Sequence, residues 1–158
     1  MQIQVIAVGK IKESYLAKGI AEYVKRLGPY VRIKITEVDD ERRPVNLSPA
    51  MREQVLAREG EKILEAVPKG AYAIALSVDG KRFSSEELAA LIKKREVGGS
   101  TVAFIIGGDL GLALSVLERC DLSLSLSPMT FTHQMVRLIL LEQVYRAFRI
   151  IRNEPYHR

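Results

Sequence analysis

Short runs of consecutive apolar residues alternate along the chain with longer stretches in which apolar positions recur every three or four residues. These two rhythms mark buried strands and amphipathic helices. The first run, residues 2–9, is rich in β-branched side chains and closed by Gly9, which predicts a buried strand. Glu13 to Leu27 then carries Leu16, Ile20, Tyr23, Val24 and Leu27 at helical spacing, and Gly28-Pro29 stops that helix. Between Val31 and Val38, Val31, Ile33 and Ile35 alternate with Arg32, Lys34 and Thr36, a strand whose polar face is basic. Residues 39–47, with Pro44 and Asn46, read as a loop, and Ser48 suits the cap of a helix running to about Val67.

Pro68-Lys69-Gly70 ends that helix, and Ala71 to Val78 is a third strand. The turn Asp79-Gly80 leads to Ser84-Ser85-Glu86-Glu87, where hydroxyl caps and first-turn acids start a helix to about Lys94. Thr101 to Ile106 is a fully apolar fourth strand, followed by Gly107-Gly108-Asp109-Leu110-Gly111 and a helix to about Arg119. Leu122 to Leu126 makes a short fifth strand, and a long helix spans about Thr132 to Arg152. No repeat or low-complexity segment interrupts the series. Five alternations of strand and helix predict a single α/β domain over residues 1–158: a mostly parallel sheet with helices on both faces. Ligands of such sheets bind beyond the carboxyl ends of the strands, which directs attention to the loops after Val78, Ile106 and Leu126.

Composition narrows this picture only modestly. A hydrophobic fraction of 47% with 27% charged residues of both signs fits an ordered globule. The net charge of +5 and pI near 9.4 lean towards a polyanionic partner such as nucleic acid. With one cysteine, Cys120, and no Cys/His pattern of zinc-site spacing, neither an internal disulfide nor a metal is expected. The apolar start is too short for a membrane span and lacks signal-peptide features, so the expected location is the cytoplasm, without membrane contact.

The glycine loop carries more chemistry. Gly107-Gly108-x-x-Gly111 turns sharply after a buried strand, where a side chain would block the approach of a ligand to the backbone. It lacks the G-x-G-x-x-G spacing and distal acid of a dinucleotide site, and no Lys-Ser/Thr pair follows it as in a P-loop. It suits adenosine held by backbone groups and apolar walls, though a tight turn with no ligand reads equally well from these residues alone.

Three segments together carry a resemblance: Phe104 to Leu112; Leu126-Ser127-Pro128-Met129-Thr130-Phe131-Thr132-His133-Gln134-Met135-Val136-Arg137; and the ending Asn153-Glu154-Pro155-Tyr156-His157-Arg158. With the start Ile6-Ala7-Val8-Gly9-Lys10, they make the whole chain closely similar to the bacterial 23S rRNA pseudouridine N3-methyltransferases of the SPOUT class. The resemblance implies a homodimeric enzyme whose C-terminal half forms a trefoil knot around S-adenosyl-L-methionine. It also implies a target pseudouridine in the helix 69 stem-loop of 23S rRNA in the assembled ribosome, and a cofactor pocket lined by Leu76, Gly107 and the stretch Leu126 to Phe131, that is Leu126, Ser127, Pro128, Met129, Thr130 and Phe131. The departures are small: Ala113 where relatives often have Ser, and a terminal Arg in place of the frequent Lys.

Methyl transfer to an imide nitrogen asks the protein to align donor and acceptor, exclude water and favour the deprotonated ring. Gly107, Gly108 and the 126–131 loop are candidates to fix adenosine through their backbones, with Leu76, Leu126 and Met129 as apolar contacts. His133 opens the long helix beside this loop and is a candidate catalytic group or merely a helix-start residue. Asp109 reads as a helix cap. Arg137, one turn past His133, is expected on the pocket face, and Lys10, Lys12, Arg32, Lys34, Arg42, Arg43, Arg146, Arg149 and Arg152 are further RNA-binding candidates. In the tail, Tyr156 offers a stacking ring, His157 a proton-exchanging group and Arg158 a phosphate-binding cation. The resemblance implies that they reach the pocket near the dimer interface. Apolar residues around most of the long helix also favour a homodimer. Two other readings remain open, a nonenzymatic RNA- or ribosome-binding factor with the same fold and an adenosine-nucleotide-binding regulator.

Overall fold

The computed structural model describes residues 1–158 and contains five strands and five helices. In chain order they are β1 (Gln2–Val8), α1 (Ser14–Leu27), β2 (Arg32–Val38), α2 (Pro49–Ala66), β3 (Tyr72–Arg82), α3 (Ser85–Val97), β4 (Thr101–Ile106), α4 (Leu114–Arg119), β5 (Leu122–Ser125) and α5 (His133–Ile151). The strands form one parallel sheet in the order β2-β1-β4-β3-β5. Strand alternation sorts the apolar residues to two faces. Ile3, Val5, Ala7 and Phe104 pack under α1, α3 and α5, whereas Ile6, Val8, Ala103 and Ile105 pack with Ile63 of α2 and Val116 of α4. β2 is an edge strand, and its exposed Arg32 and Lys34 protect that edge from pairing with other chains.

Helix starts follow from the capping residues. Ser48 accepts the Met51 N–H with Pro49 in the first turn, and Ser84 forms a full capping box with Glu87. Thr132 caps α5 through the Met135 N–H. Two expectations are corrected. The helix after the glycine loop begins only at Leu114, because the chain first closes the turn from Gly107 to Gly111 and Ala113 supplies no cap. β3 continues past Asp79-Gly80 to Arg82 instead of ending at Val78.

This second difference builds part of the site. β5 pairs with β3 through Ile74, Ala75 and Leu76, and then again through Lys81 and Arg82, with Leu124 opposite both Leu76 and Lys81. Residues 77–80 therefore leave the ladder and bulge beyond the sheet. The return passes so close to β5 that a Cβ on Gly80 would sit 2.7 Å from the Ser123 carbonyl carbon. Glycine at 80 is needed for that backbone contact rather than for a hairpin turn.

Candidate active site

The carboxyl ends of β3, β4 and β5, with the loops that follow them, surround an open cavity of about 1040 Å³. That is near the upper end of small-molecule sites. One wall is Leu76 to Asp79, the bulged part of β3; a second is Gly107, Gly108, Asp109, Gly111 and Leu112; a third is Leu126, Ser127 and Met129 to Gln134. Of the residues expected at a cofactor, Leu76, Gly107, Gly108, Leu126, Ser127, Met129, Thr130 and Phe131 line the cavity, and Pro128 does not. Ser77, Val78, Asp79 and Leu112 also line it. Asp79 belongs to the loop after Val78 that its place at a strand's carboxyl end singles out, whereas Ser77 and Val78 carry no signal in sequence beyond that position, since Asp79-Gly80 resembles an ordinary turn.

Local chemistry fixes the walls. Ser125 Oγ donates to the Ser127 carbonyl at 3.0 Å, and Ser127 Oγ accepts the Met129 N–H at 2.9 Å, so hydroxyls shape the 126–131 loop from within. Met129 is left 74% exposed and Phe131 38%, apolar surface suited to cover by a ligand or partner. In the glycine loop, the Gly111 N–H donates to Gly108 O at 3.1 Å, and Gly111 has φ of 87°. A Cβ on Gly107 would lie 2.4 Å from Gly111 O, so glycine at 107 is required by the loop's own closure. At Gly108 the nearest atom to such a Cβ is 3.3 Å away, a much milder conflict.

His133, the first residue of α5, lies on the cavity wall. A Cβ on Gly9 would be 3.9 Å from its Nε2, which places the ring against the end of β1. Burial holds its pKa below the usual histidine value, partly offset by the Asp109 carboxylate, so the imidazole is neutral at pH 7. Asp109 does not cap a helix. It pairs with Arg43 across the loop after β2, and that guanidinium holds its carboxyl below the usual range.

Arg137 takes a different position from the one expected. It is 1% exposed and absent from the cavity lining. Its Nη1 donates to Glu37 Oε2 at 2.6 Å, and its Nη2 donates to the carbonyls of Val8 at 3.2 Å and Gly9 at 2.6 Å. Arg137 thus ties α5 to the carboxyl ends of β1 and β2 instead of facing RNA. The other arginines of α5 and its C-terminal cap are also engaged within the chain, Arg146 with Glu142, Arg149 with Glu154 and Arg152 with Glu96.

The tail does not line the cavity of its own chain. It folds back along α5, where the Tyr156 hydroxyl donates to Glu142 at 3.0 Å and lies 3.2 Å from the Tyr23 hydroxyl. Its ring packs edge-on to Tyr145 with centroids 4.9 Å apart. His157 Nε2 is 2.7 Å from Glu86 at the start of α3, and its Nδ1 is 3.2 Å from Arg146. Arg158 is exposed. The tail is thus docked on its own chain by hydrogen bonds and aromatic packing. Glu86 neighbours Ser85, and Ser85 lines a smaller cleft that shares Leu126 and Phe131 with the main cavity.

Known proteins match this arrangement along its whole length. The family described as "Predicted SPOUT methyltransferase" matches residues 1–157. A protein of Carboxydothermus hydrogenoformans named Ribosomal RNA large subunit methyltransferase H is 57% identical, and one of the same name from Listeria welshimeri is 55% identical; each match covers all of both chains. Among solved structures, a probable methyltransferase from Bordetella pertussis Tohama I aligns with a TM-score of 0.57 at 15% identity, covering 92% of this chain and 95% of that one. Lpg2936 from Legionella pneumophila, solved in complex with the bound cofactor SAM, aligns with a TM-score of 0.50 at 14% identity, covering 94% of this chain and 66% of that one. At those identities the structural likeness concerns the fold, whereas the full-length sequence matches decide the family. The chain belongs to the SPOUT methyltransferases.

Proposed function

We propose that this protein transfers the methyl group of S-adenosylmethionine to N3 of a pseudouridine in the helix 69 stem-loop of 23S rRNA, acting as a homodimer on the assembled ribosome in the cytoplasm. The observation that carries this reading is the cavity, in which the glycine loop, the bulge of β3 and the 126–131 loop converge at the carboxyl edge of the sheet. Its lining fits the group: Leu76, Leu112, Leu126 and Met129 offer apolar contact to adenine, and the backbones of Gly107, Gly108 and the 126–131 loop come close without side chains in the way. The cofactor supplies an electrophilic methyl on sulfonium. The chain supplies alignment and exclusion of water.

On this reading His133, neutral and on the cavity wall, can accept a hydrogen bond or a proton beside the methyl acceptor. Tyr156, His157 and Arg158 complete the site from the dimer interface, gripping the flipped base and favouring its imide anion. Arg137 acts as a positioning residue, holding the α5 start against β1. The C-terminal half carries the trefoil knot of the family. Names of the full-length relatives support ribosomal RNA as the substrate. Calorimetry with S-adenosylmethionine tests the site: binding that is lost on changing Gly107 supports it, whereas binding of ATP but not S-adenosylmethionine favours a nucleotide-binding regulator. Cofactor binding with no methyl transfer to ribosomes favours a nonenzymatic factor.

A further inference from the structure

Glu59 lies in the interior of α2, and only 2% of it is exposed. Its Oε2 accepts the Glu41 N–H at 3.1 Å, while Oε1 is buried without any partner. The free oxygen sits beside the glycine loop, 3.8 Å from where a Cβ on Gly108 would be. Four charged groups surround it: Asp40 and Arg43 on the loop after β2, Lys62 on its own helix, and Asp109 on the glycine loop. Both cations are committed elsewhere, Arg43 to Asp109 and Lys62 to Glu41 at 2.8 Å and to the Asp39 carbonyl at 3.2 Å.

An ionised carboxylate here would be buried with one oxygen unmatched, which disfavours the charged form. A protonated acid avoids that charge and turns the free position into an O–H donor beside the glycine loop. Burial pushes the pKa of Glu59 up, in the same direction. The Arg43–Asp109 pair joins the loop after β2 to the glycine loop at the surface; beneath it, Glu59 accepts from the loop after β2 and brings its free oxygen up to the glycine loop.

We propose that Glu59 is an uncharged positioning residue that clamps the glycine loop to the loop after β2 and so sets the affinity for the adenosine-bearing cofactor. The last clause rests on the function proposed above; the clamp itself does not. Hydrogen exchange on the full-length protein without ligand tests the clamp. Glu59→Ala should speed amide exchange in residues 107–112 and 39–43 by about tenfold, equivalent to about 1.4 kcal/mol of local opening, and leave α5 protected. Glu59→Gln, which mimics the neutral acid, should stay within about twofold of the parent. Unchanged exchange in Glu59→Ala, or exchange in Glu59→Gln as fast as in Glu59→Ala, overturns the proposal. Should Glu59→Ala fail to fold, Glu59→Gln decides alone, its protected loop supporting the clamp and a deprotected loop refuting it.

Titrations with S-adenosylmethionine test the affinity clause. Because the folded protein raises the Glu59 pKa, the neutral form predominates at lower pH and is lost as pH rises through the raised value. Affinity of the parent protein should weaken over that rise, and affinity of Glu59→Gln should not. Identical pH profiles contradict the clause. A parent protein that binds no S-adenosylmethionine at any pH contradicts the proposed function instead, while the exchange result still decides the clamp.

Discussion

Two residues singled out by sequence illustrate how one side chain can be read correctly for place and incorrectly for reason. Gly107 is at the cavity, but its Cβ would meet the Gly111 carbonyl at 2.4 Å before any ligand arrived. Gly107→Val should therefore lower stability by about 1–3 kcal/mol through overpacking and also reduce S-adenosylmethionine affinity by at least about tenfold. Gly108→Ala, with 3.3 Å to its nearest neighbour, should keep its stability within about 1 kcal/mol of the parent. Thermal melts and calorimetry on the two variants separate loop closure from ligand contact. Arg137 was expected on the pocket side of α5 because helical spacing gives a face but not a partner. Its partners, Glu37 and the Val8 and Gly9 carbonyls, lie about a hundred residues away in sequence. Arg137→Met should cost about 3 kcal/mol in denaturant unfolding, since two buried carbonyls lose a charged donor. A cost near zero would return Arg137 to the list of free cations.

At the scale of elements, periodicity located every strand and helix, because β1 and β4 are continuous buried runs, β2 alternates apolar with exposed charged residues, and most helix starts have a side-chain cap. What escaped it were features set by contact between distant segments. The bulge at residues 77–80 depends on the second pairing of β3 with β5, and a glycine there has the same local signature as a turn. Glu59 has the sequence context of a solvated helix residue, and it is buried where the loop after β2 and the glycine loop approach it. The tail was legible as chemistry but not as a docked element. Tyr156 packs edge-on against Tyr145 and bonds to Glu142, so deleting Tyr156 to Arg158 should remove about 1 kcal/mol from the aromatic pair and lower the melting temperature by about 2–4 °C. Methyl transfer should be abolished, with S-adenosylmethionine affinity retained. Full-rate transfer by the truncated protein would leave the chemistry to the His133 region alone.

At the scale of the whole molecule, four exposed apolar side chains, Tyr15, Val78, Met129 and Phe131, gather at the candidate site. α5 lies against β4 between α1 and α3, with Leu140, Leu141, Val144, Ala147 and Phe148 fully buried, while Met135, Leu138, Ile139 and Tyr145 are only half-buried. A second copy of the chain would cover those positions, and the proposed homodimer predicts twice the chain mass by light scattering at micromolar concentration. A monomeric mass contradicts it. The most direct test of the central claim is mass mapping of large-subunit rRNA from ribosomes of a strain lacking this protein, before and after incubation with the purified protein and S-adenosylmethionine. The account predicts one added methyl group on a single pseudouridine of the helix 69 stem-loop, dependent on the cofactor. Ribosomal RNA that remains unmodified, with cofactor bound and both subunits present, would contradict it.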